Sequence, residues 1–162
     1  MNISRILMKS TFVLTAAGLL ASCGEPEAPA PETELTFEEL LQTQLIQAQP
    51  GDVIEIPAGT HEITRSLSLN VPGITLQGAG MNESILSFKN QVQGAEGLLV
   101  TADDFIIQDL AIEDTVGDAL KVNESTNVTI RRVRTEWTRG ANTENGAYGI
   151  YPVSSKNVLV EE

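Results

Sequence analysis

The chain of 162 residues contains one cysteine and one histidine. A lone cysteine excludes an intrachain disulfide, and the lone His61 excludes a His-rich zinc centre. Aromatic residues are 4% of the chain, with one Trp and two Tyr. The side chains able to stack on a sugar ring are therefore nearly limited to Trp137, Tyr148 and Tyr151. Basic residues are also scarce: 10 Lys and Arg face 22 Asp and Glu, for a formal net charge of −12. Such a polyanion does not bind nucleic acid through the backbone phosphates and does not seek an anionic membrane surface. No helical pattern long enough to form a crossover separates the later apolar segments, which argues against a βαβ fold. No D-x-D-x-D-G loop and no calcium nonapeptide repeat is present.

What the chain does have is a repeat. Val128-Thr129-Ile130-Arg131-Arg132-Val133 is preceded by Asn127 and, further upstream, by Asp118-Ala119-Leu120-Lys121-Val122. The same layout occurs in Gly97 to Val100, Asp104 and Phe105 to Leu110, and again in Tyr148 to Val153, Asn157 and Val158 to Glu162. A period in the twenties with one stretched copy is the mark of a solenoid whose extra residues loop out from one side. Successive strand side chains alternate between faces. Phe105, Ile107, Val128, Ile130, Val158 and Val160 are expected inside. Asp109, Arg132 and Glu162 are expected at polar bends, after which Leu110 and Val133 turn inward. Equivalent strands one repeat apart should stack in parallel. The fold class is thus all-β, a parallel β-helix.

Residues 1–22 carry two charges, Arg5 and Lys9, and an apolar run from Thr11 to Leu20 that is too short to span a bilayer. The run ends Leu20-Ala21-Ser22-Cys23-Gly24, which resembles the bacterial lipobox, in which the cysteine is acylated. The resemblance implies a lipoprotein signal peptide over 1–22, lipidation at Cys23 and, because Gly24 is not Asp, residence in the outer membrane. Export would leave eight bases against 22 acids, a net charge of −14. Residues 23–34 form an acidic, Pro-rich tether. Residues 35–49 read as a short helix: Thr36 and Glu39 make a capping box, Leu35 and Leu40 flank it, and Pro50-Gly51 stops it. Its face of Phe37, Leu40, Leu41, Gln44, Leu45 and Ala48 is expected to cover the open end of a solenoid spanning 50–162.

The segments Pro50-Gly51-Asp52-Val53-Ile54-Glu55-Ile56-Pro57-Ala58-Gly59-Thr60-His61 and Pro72-Gly73-Ile74-Thr75-Leu76-Gln77-Gly78-Ala79-Gly80 resemble the opening turns of right-handed parallel β-helix proteins with the pectate-lyase-like fold. Gly149 to Val158 is similar to bacterial lipoproteins that carry such repeats. The resemblance places the Ile74 strand in one sheet with the Phe105, Val128 and Val158 strands. Outward columns then run Thr75, Ile106, Thr129, Leu159 and Gln77, Gln108, Arg131, Glu161, with Arg131 beside Glu161. Because this fold hosts many chemistries, the resemblance implies carbohydrate binding or a scaffold role, or a polysaccharide lyase or C5-epimerase.

The acids Asp103, Asp104, Asp109, Glu113, Asp114 and Asp118 gather around one turn, and Asp109 and Asp114 are the weak calcium candidates; otherwise no metal or cofactor is expected. Lyases of this fold use an Arg or Lys base, for which Arg131, Arg132, Arg134 and Arg139 are available, yet no motif singles one out. No catalytic residue is assigned. Candidate ligand contacts are Trp137, Tyr148, Tyr151, Gln108 and Arg131, with the loop from Gly140 to Gly146 as a binding edge. Acidic glycans would be repelled unless calcium bridges them. A bare last strand at Glu162 would expose an edge, so the sequence reads as the N-terminal piece of a longer protein, with any active site in later turns.

Overall fold

The computed structural model describes residues 34–162; the expected signal peptide, Cys23 and nearly all of the expected tether lie outside them. The described part is a parallel β-helix of about four turns behind one short helix. The first turn holds β1 (Val53–Ile56), β2 (Gly59–Glu62) and β3 (Arg65–Leu69). The second holds β4 (Thr75–Gly78), β5 (Ser84–Ser87) and β6 (Gln93–Val100). In the third and fourth turns the first two faces fuse into single bent strands, β7 (Ile106–Glu113) and β9 (Thr126–Glu136), followed by β8 (Leu120–Asn123) and β10 (Ile150–Val153). A further row starts with β11 (Lys156–Glu161). Every pairing between these strands is parallel.

The bends explain how a strand turns a corner without a loop. Gln108 pairs with Arg131 and Leu110 with Val133, while Asp109 and Arg132 fall between the paired segments. Both have left-handed backbones, with φ of 60° and 49°. One such residue reverses the alternation, so Ile107 and Leu110 both reach the core, each fully buried. The corner before each repeat uses Asp104, Asn127 and Asn157, also left-handed at φ 55°, 62° and 53°. Asn and Asp tolerate this region best among residues with a Cβ. Their side chains form a ladder: Asn127 Nδ2 donates to Asp104 Oδ1 at 2.9 Å, and Asn157 Nδ2 donates to Asn127 Oδ1 at 3.0 Å. These partners are 23 and 30 residues apart, the spacing of the sequence repeat.

The core is a column of apolar side chains from all faces, including Ile54, Leu67, Leu76, Phe88, Leu98, Phe105, Ile107, Leu120, Val128 and Ile130. Burial of each such side chain contributes about 1.5–3 kcal/mol. Val158 and Val160 face the same direction, but Val160 is 53% exposed because no row lies above it among the described residues.

The helix α1 (Phe37–Gln47) begins at Thr36, whose hydroxyl accepts from Glu39 N while the Glu39 carboxylate accepts from Thr36 N. Leu41, Leu45 and Ala48 are buried as expected, whereas Leu40 is 48% exposed and Glu38 is buried instead. The reason is the strand beneath. β3 is the edge of its sheet and leaves backbone groups unpaired on that side. Glu38 accepts from Thr64 N and Thr64 Oγ1, each at 2.8 Å. One helical turn on, Gln42 Oε1 accepts from Ser68 N at 3.0 Å while its Nε2 donates to Ser68 O at 3.1 Å. Two polar side chains thus stand in for a missing strand. Arg65 Nε completes the Glu38 site at 2.6 Å. Burial would raise the Glu38 carboxyl, but the hydrogen bonds from Arg65 and Thr64 outweigh it and hold the group below the usual carboxylate range.

Candidate functional site

Two outward columns carry the polar and aromatic side chains of interest. The first lies on the sheet of β4, β7, β9 and β11, where Gln77, Gln108, Arg131 and Glu161 occupy successive rows in register. Gln108 Nε2 donates to Gln77 Oε1. Arg131 Nε meets Glu161 Oε1 at 2.5 Å. The adjacent bend column is tied to it. Arg132 grips Asp109 with two hydrogen bonds, Nε to Oδ1 at 2.5 Å and Nη2 to Oδ2 at 2.9 Å. Gln77 Nε2 donates to Asp109 Oδ2 at 3.1 Å, and Arg132 Nη1 reaches Glu162 at 3.3 Å.

This network is closed. The Arg132 hydrogen bond, offset in part by burial and helped by Gln77, holds the Asp109 carboxyl below its ordinary range. The same contact raises the Arg132 guanidinium above its own. A general acid or base works best with a pKa near the operating pH, and both groups are driven away from it. Arg134 is committed too, with Nη2 at 2.7 Å from Glu113, Nη1 on Glu136, and Nε donating to Met81 O.

The acids gathered around the third turn do not converge on one point. Both oxygens of Asp109 are occupied as above. Asp114 is buried and accepts from Thr138 N and Thr138 Oγ1, each at 2.7 Å. Asp103 accepts from Thr126 N, and Asp104 belongs to the corner ladder. Among the described residues no group of three or more His, Cys, Asp or Glu side chains is placed to hold a metal.

The second column lies on the other sheet, ordered β10-β8-β6-β3. Ser68, Leu99, Lys121 and Tyr151 stand in register across it. Tyr151 stacks on Tyr148 with ring centroids 4.4 Å apart and planes 19° from parallel. Tyr148 is 51% exposed. One row down, Lys121 Nζ pairs with Glu96 Oε1 at 3.1 Å. That hydrogen bond, with weaker contributions from Asp118 and Tyr151, raises the Lys121 ammonium above its usual range. A flat aromatic step, a cation and a carboxylate therefore lie on neighbouring rows. Such a surface can stack an apolar sugar face and hydrogen-bond its hydroxyls.

Trp137 is not part of that step. Its ring packs against the core and its Nε1 donates to Thr115 O at 2.7 Å. Its Cζ2 lies 2.9 Å from where a Cβ on Gly146 would sit. The loop from Gly140 to Gly146 is thereby anchored at one end by the indole. Gln108 and Arg131 are in the first column, so the five candidate contacts fall on three surfaces. Lys121 and Glu96 carry no motif that would mark them in the sequence, and only the register of the rows brings them to the tyrosines.

His61 stacks on Phe37 with centroids 3.8 Å apart, and its Nε2 lies 2.9 Å from Pro57 O, a structural position between helix and first turn.

No family model matches the chain, and no curated protein matches it. Among solved structures, a pectin methylesterase variant in complex with a hexasaccharide is similar at 17% identity and a TM-score of 0.46. The alignment covers 63% of this chain and 39% of that enzyme chain.

Proposed function

We propose that this is a lipid-anchored cell-envelope protein whose β-helix serves as a carbohydrate-binding module. The observation that carries the reading is the Tyr148–Tyr151 step beside Lys121 and Glu96. The half-exposed Tyr148, stacked on the less exposed Tyr151, presents a flat apolar surface of low conformational entropy, with polar groups within one or two strand spacings of about 4.8 Å. The net charge of −14 left after processing at Cys23 favours a neutral glycan over an acidic one. The anchor reading rests on Leu20-Ala21-Ser22-Cys23, and Gly24 after the cysteine supports the outer membrane.

The test is direct titration of purified protein with cellohexaose and maltohexaose. Binding should weaken at least about tenfold in a Tyr148→Ala/Tyr151→Ala double variant, the loss expected for one or two ring stacks. Absence of millimolar binding to either sugar, or binding that survives the double substitution, sinks the glycan reading. The anchor is tested separately: Cys23→Ser should move the protein out of the membrane fraction, and the intact mass should lose its acyl chains.

The alternative is a lyase or C5-epimerase. It requires a base free to take a proton, and Arg131, Arg132 and Arg134 are each tied to a carboxylate. Arg139, the fourth candidate, reaches only the 80% exposed Glu144 at 3.9 Å and is the one of the four arginines left for that role among the described residues.

A further inference from the structure

All three strands of the first turn are sheet edges, and α1 does not cover them alike. At β3 the side chains of Glu38 and Gln42 hydrogen-bond the backbone of Thr64 and Ser68. β1 pairs with β4 on one side, and α1 packs on β2 and β3 instead. Beside β1 a groove of about 620 Å³ opens, with Gln44, Gln47 and Ala48 of the helix on one wall and Asp52 to Glu55 on the other. A second groove of about 390 Å³ takes up at Glu55 and follows Ile56 and Pro57 past Gln77 to Ala79.

The ladder shows which backbone groups of β1 are free. Thr75 N donates to Asp52 O at 3.0 Å. A parallel ladder repeats this bond at every second residue, so Ile54 and Ile56 use their backbone groups on β4. The N–H and C=O of Val53 and Glu55 therefore point away from β4. Among the described residues none of these four groups has a partner outside the ladder. Side-chain burial alternates in step: Ile54 and Ile56 enter the core, while Val53 and Glu55 are exposed. The charge along the grooves is of one sign. Asp52 and Glu55 are the charged residues lining them, with no Lys, Arg or His. Neither makes an ion pair among the described residues. Asp52 Oδ2 accepts from Gln49 N at 2.7 Å, a neutral donor that leaves its charge in place.

We infer that the free edge of β1 docks an extended basic peptide segment of another protein, which adds as one more strand. In this mode of recognition backbone hydrogen bonds supply affinity and alternate side chains supply specificity. The outward side chains of an added strand fall beside Val53 and Glu55. The fitting segment thus carries an apolar residue two positions from a Lys or Arg, with a small residue between them turned toward Ala48. The net negative charge of the chain draws such a segment in from a distance. A second copy of this chain fits less well, because it brings its own Asp52 and Glu55 to the same edge, and like charges on facing edges oppose pairing.

The test is titration of the purified protein with the end-capped peptide Ser-Val-Ser-Lys-Ser-Val-Ser, which reads apolar-x-basic in both directions. Saturable binding is expected below about 1 mM, weakening as salt rises. The same peptide with Glu in place of Lys should bind at least about tenfold more weakly. Glu55→Lys, at an exposed position, should reverse that preference without moving the melting temperature. Two N-methylated forms report on the backbone. Methyl groups on the Val and Lys residues lie on one edge of an extended chain, and methyl groups on the Ser residues lie on the other. One form should lose binding and the other keep it. Tyr148→Ala/Tyr151→Ala, on the other sheet, should leave binding unchanged. No binding at about 1 mM, equal binding of the Glu peptide, equal behaviour of the two methylated forms, or an unaltered preference in Glu55→Lys overturns the proposal. So do concentration-dependent dimers that exclude the peptide, which would put a second copy at the edge.

Discussion

The two outward columns differ in what their side chains have left to offer. On the β4-β7-β9-β11 sheet, Gln77, Gln108, Asp109, Arg131, Arg132, Glu161 and Glu162 satisfy one another across rows. On the β10-β8-β6-β3 sheet, Lys121 and Glu96 pair, but the tyrosines above them stack on each other and Tyr148 is half-exposed to solvent. The first column is polar and closed. The second is less polar and open. Abundance of charge is thus a poor guide to function in a stacked fold, because each row supplies partners for the next. An open aromatic step says more, since a ring exposed to water has nothing else to do with its face.

The sharpest way to break the comparison is to disturb the spine under the first column. Gly78 ends β4 directly below the Asp109 bend. A Cβ there would overlap Asp109 O and lie 2.8 Å from Leu110 Cβ. The obstacle is backbone, so the rows must separate. Gly78→Ala should cost about 3 kcal/mol, measured by urea unfolding. Removing Tyr151, in the open column, should change stability far less while removing glycan affinity. If both substitutions affect stability alike, the division between a structural and a binding column fails.

Much of this arrangement was legible in the sequence. The spacing of Asp104, Asn127 and Asn157 marked three rows and alternation marked their faces, while the Ile74 row was placed by resemblance; both outward columns of the first sheet are in the register expected. The capping box at Thr36 and Glu39 was equally plain. Less legible were features that depend on two chain segments meeting. Hydropathy assigns Leu40 to the buried helix face and Glu38 to water. The free edge of β3 reverses this, because unpaired N–H groups need acceptors more than they need methyl groups. Trp137 reads as a ring available for stacking, but Thr115 O takes its N–H and the core takes one face. Lys121 and Glu96 carry no local motif at all.

A second contrast is in pH. Asp109 has a folded-state pKa below its unfolded value. Such a group adds stability above the unfolded pKa, near 4, and loses it as pH falls through the folded one. Glu38, depressed by Arg65 and Thr64 against the effect of burial, acts in the same direction at the helix end. Wild-type stability should therefore fall steeply below about pH 4. Asp109→Asn should lower stability at pH 7 by less than Gly78→Ala does, and should flatten the acid limb. Urea midpoints between pH 2 and 7 would show this; an unchanged acid limb in the variant would remove Asp109 from the account.

The smallest effect is expected where the picture looks most persuasive. Arg131 and Glu161 meet at 2.5 Å, yet their side chains are 39% and 38% exposed. Exposed pairs contribute at most about 1 kcal/mol, since water and salt screen the attraction and ordering two long side chains opposes it. Arg131→Ala should lower stability by less than about 1 kcal/mol, with the difference shrinking further in high salt. A salt-insensitive loss well above that would mean that Arg131 holds the β9-β11 rows together through more than its carboxylate partner. The column would then be a continuous brace, with Gln108 and Gln77 below it coupled to the same contact. A double-mutant cycle of Arg131→Ala with Gln108→Ala separates the cases, because independent rows add and a brace does not.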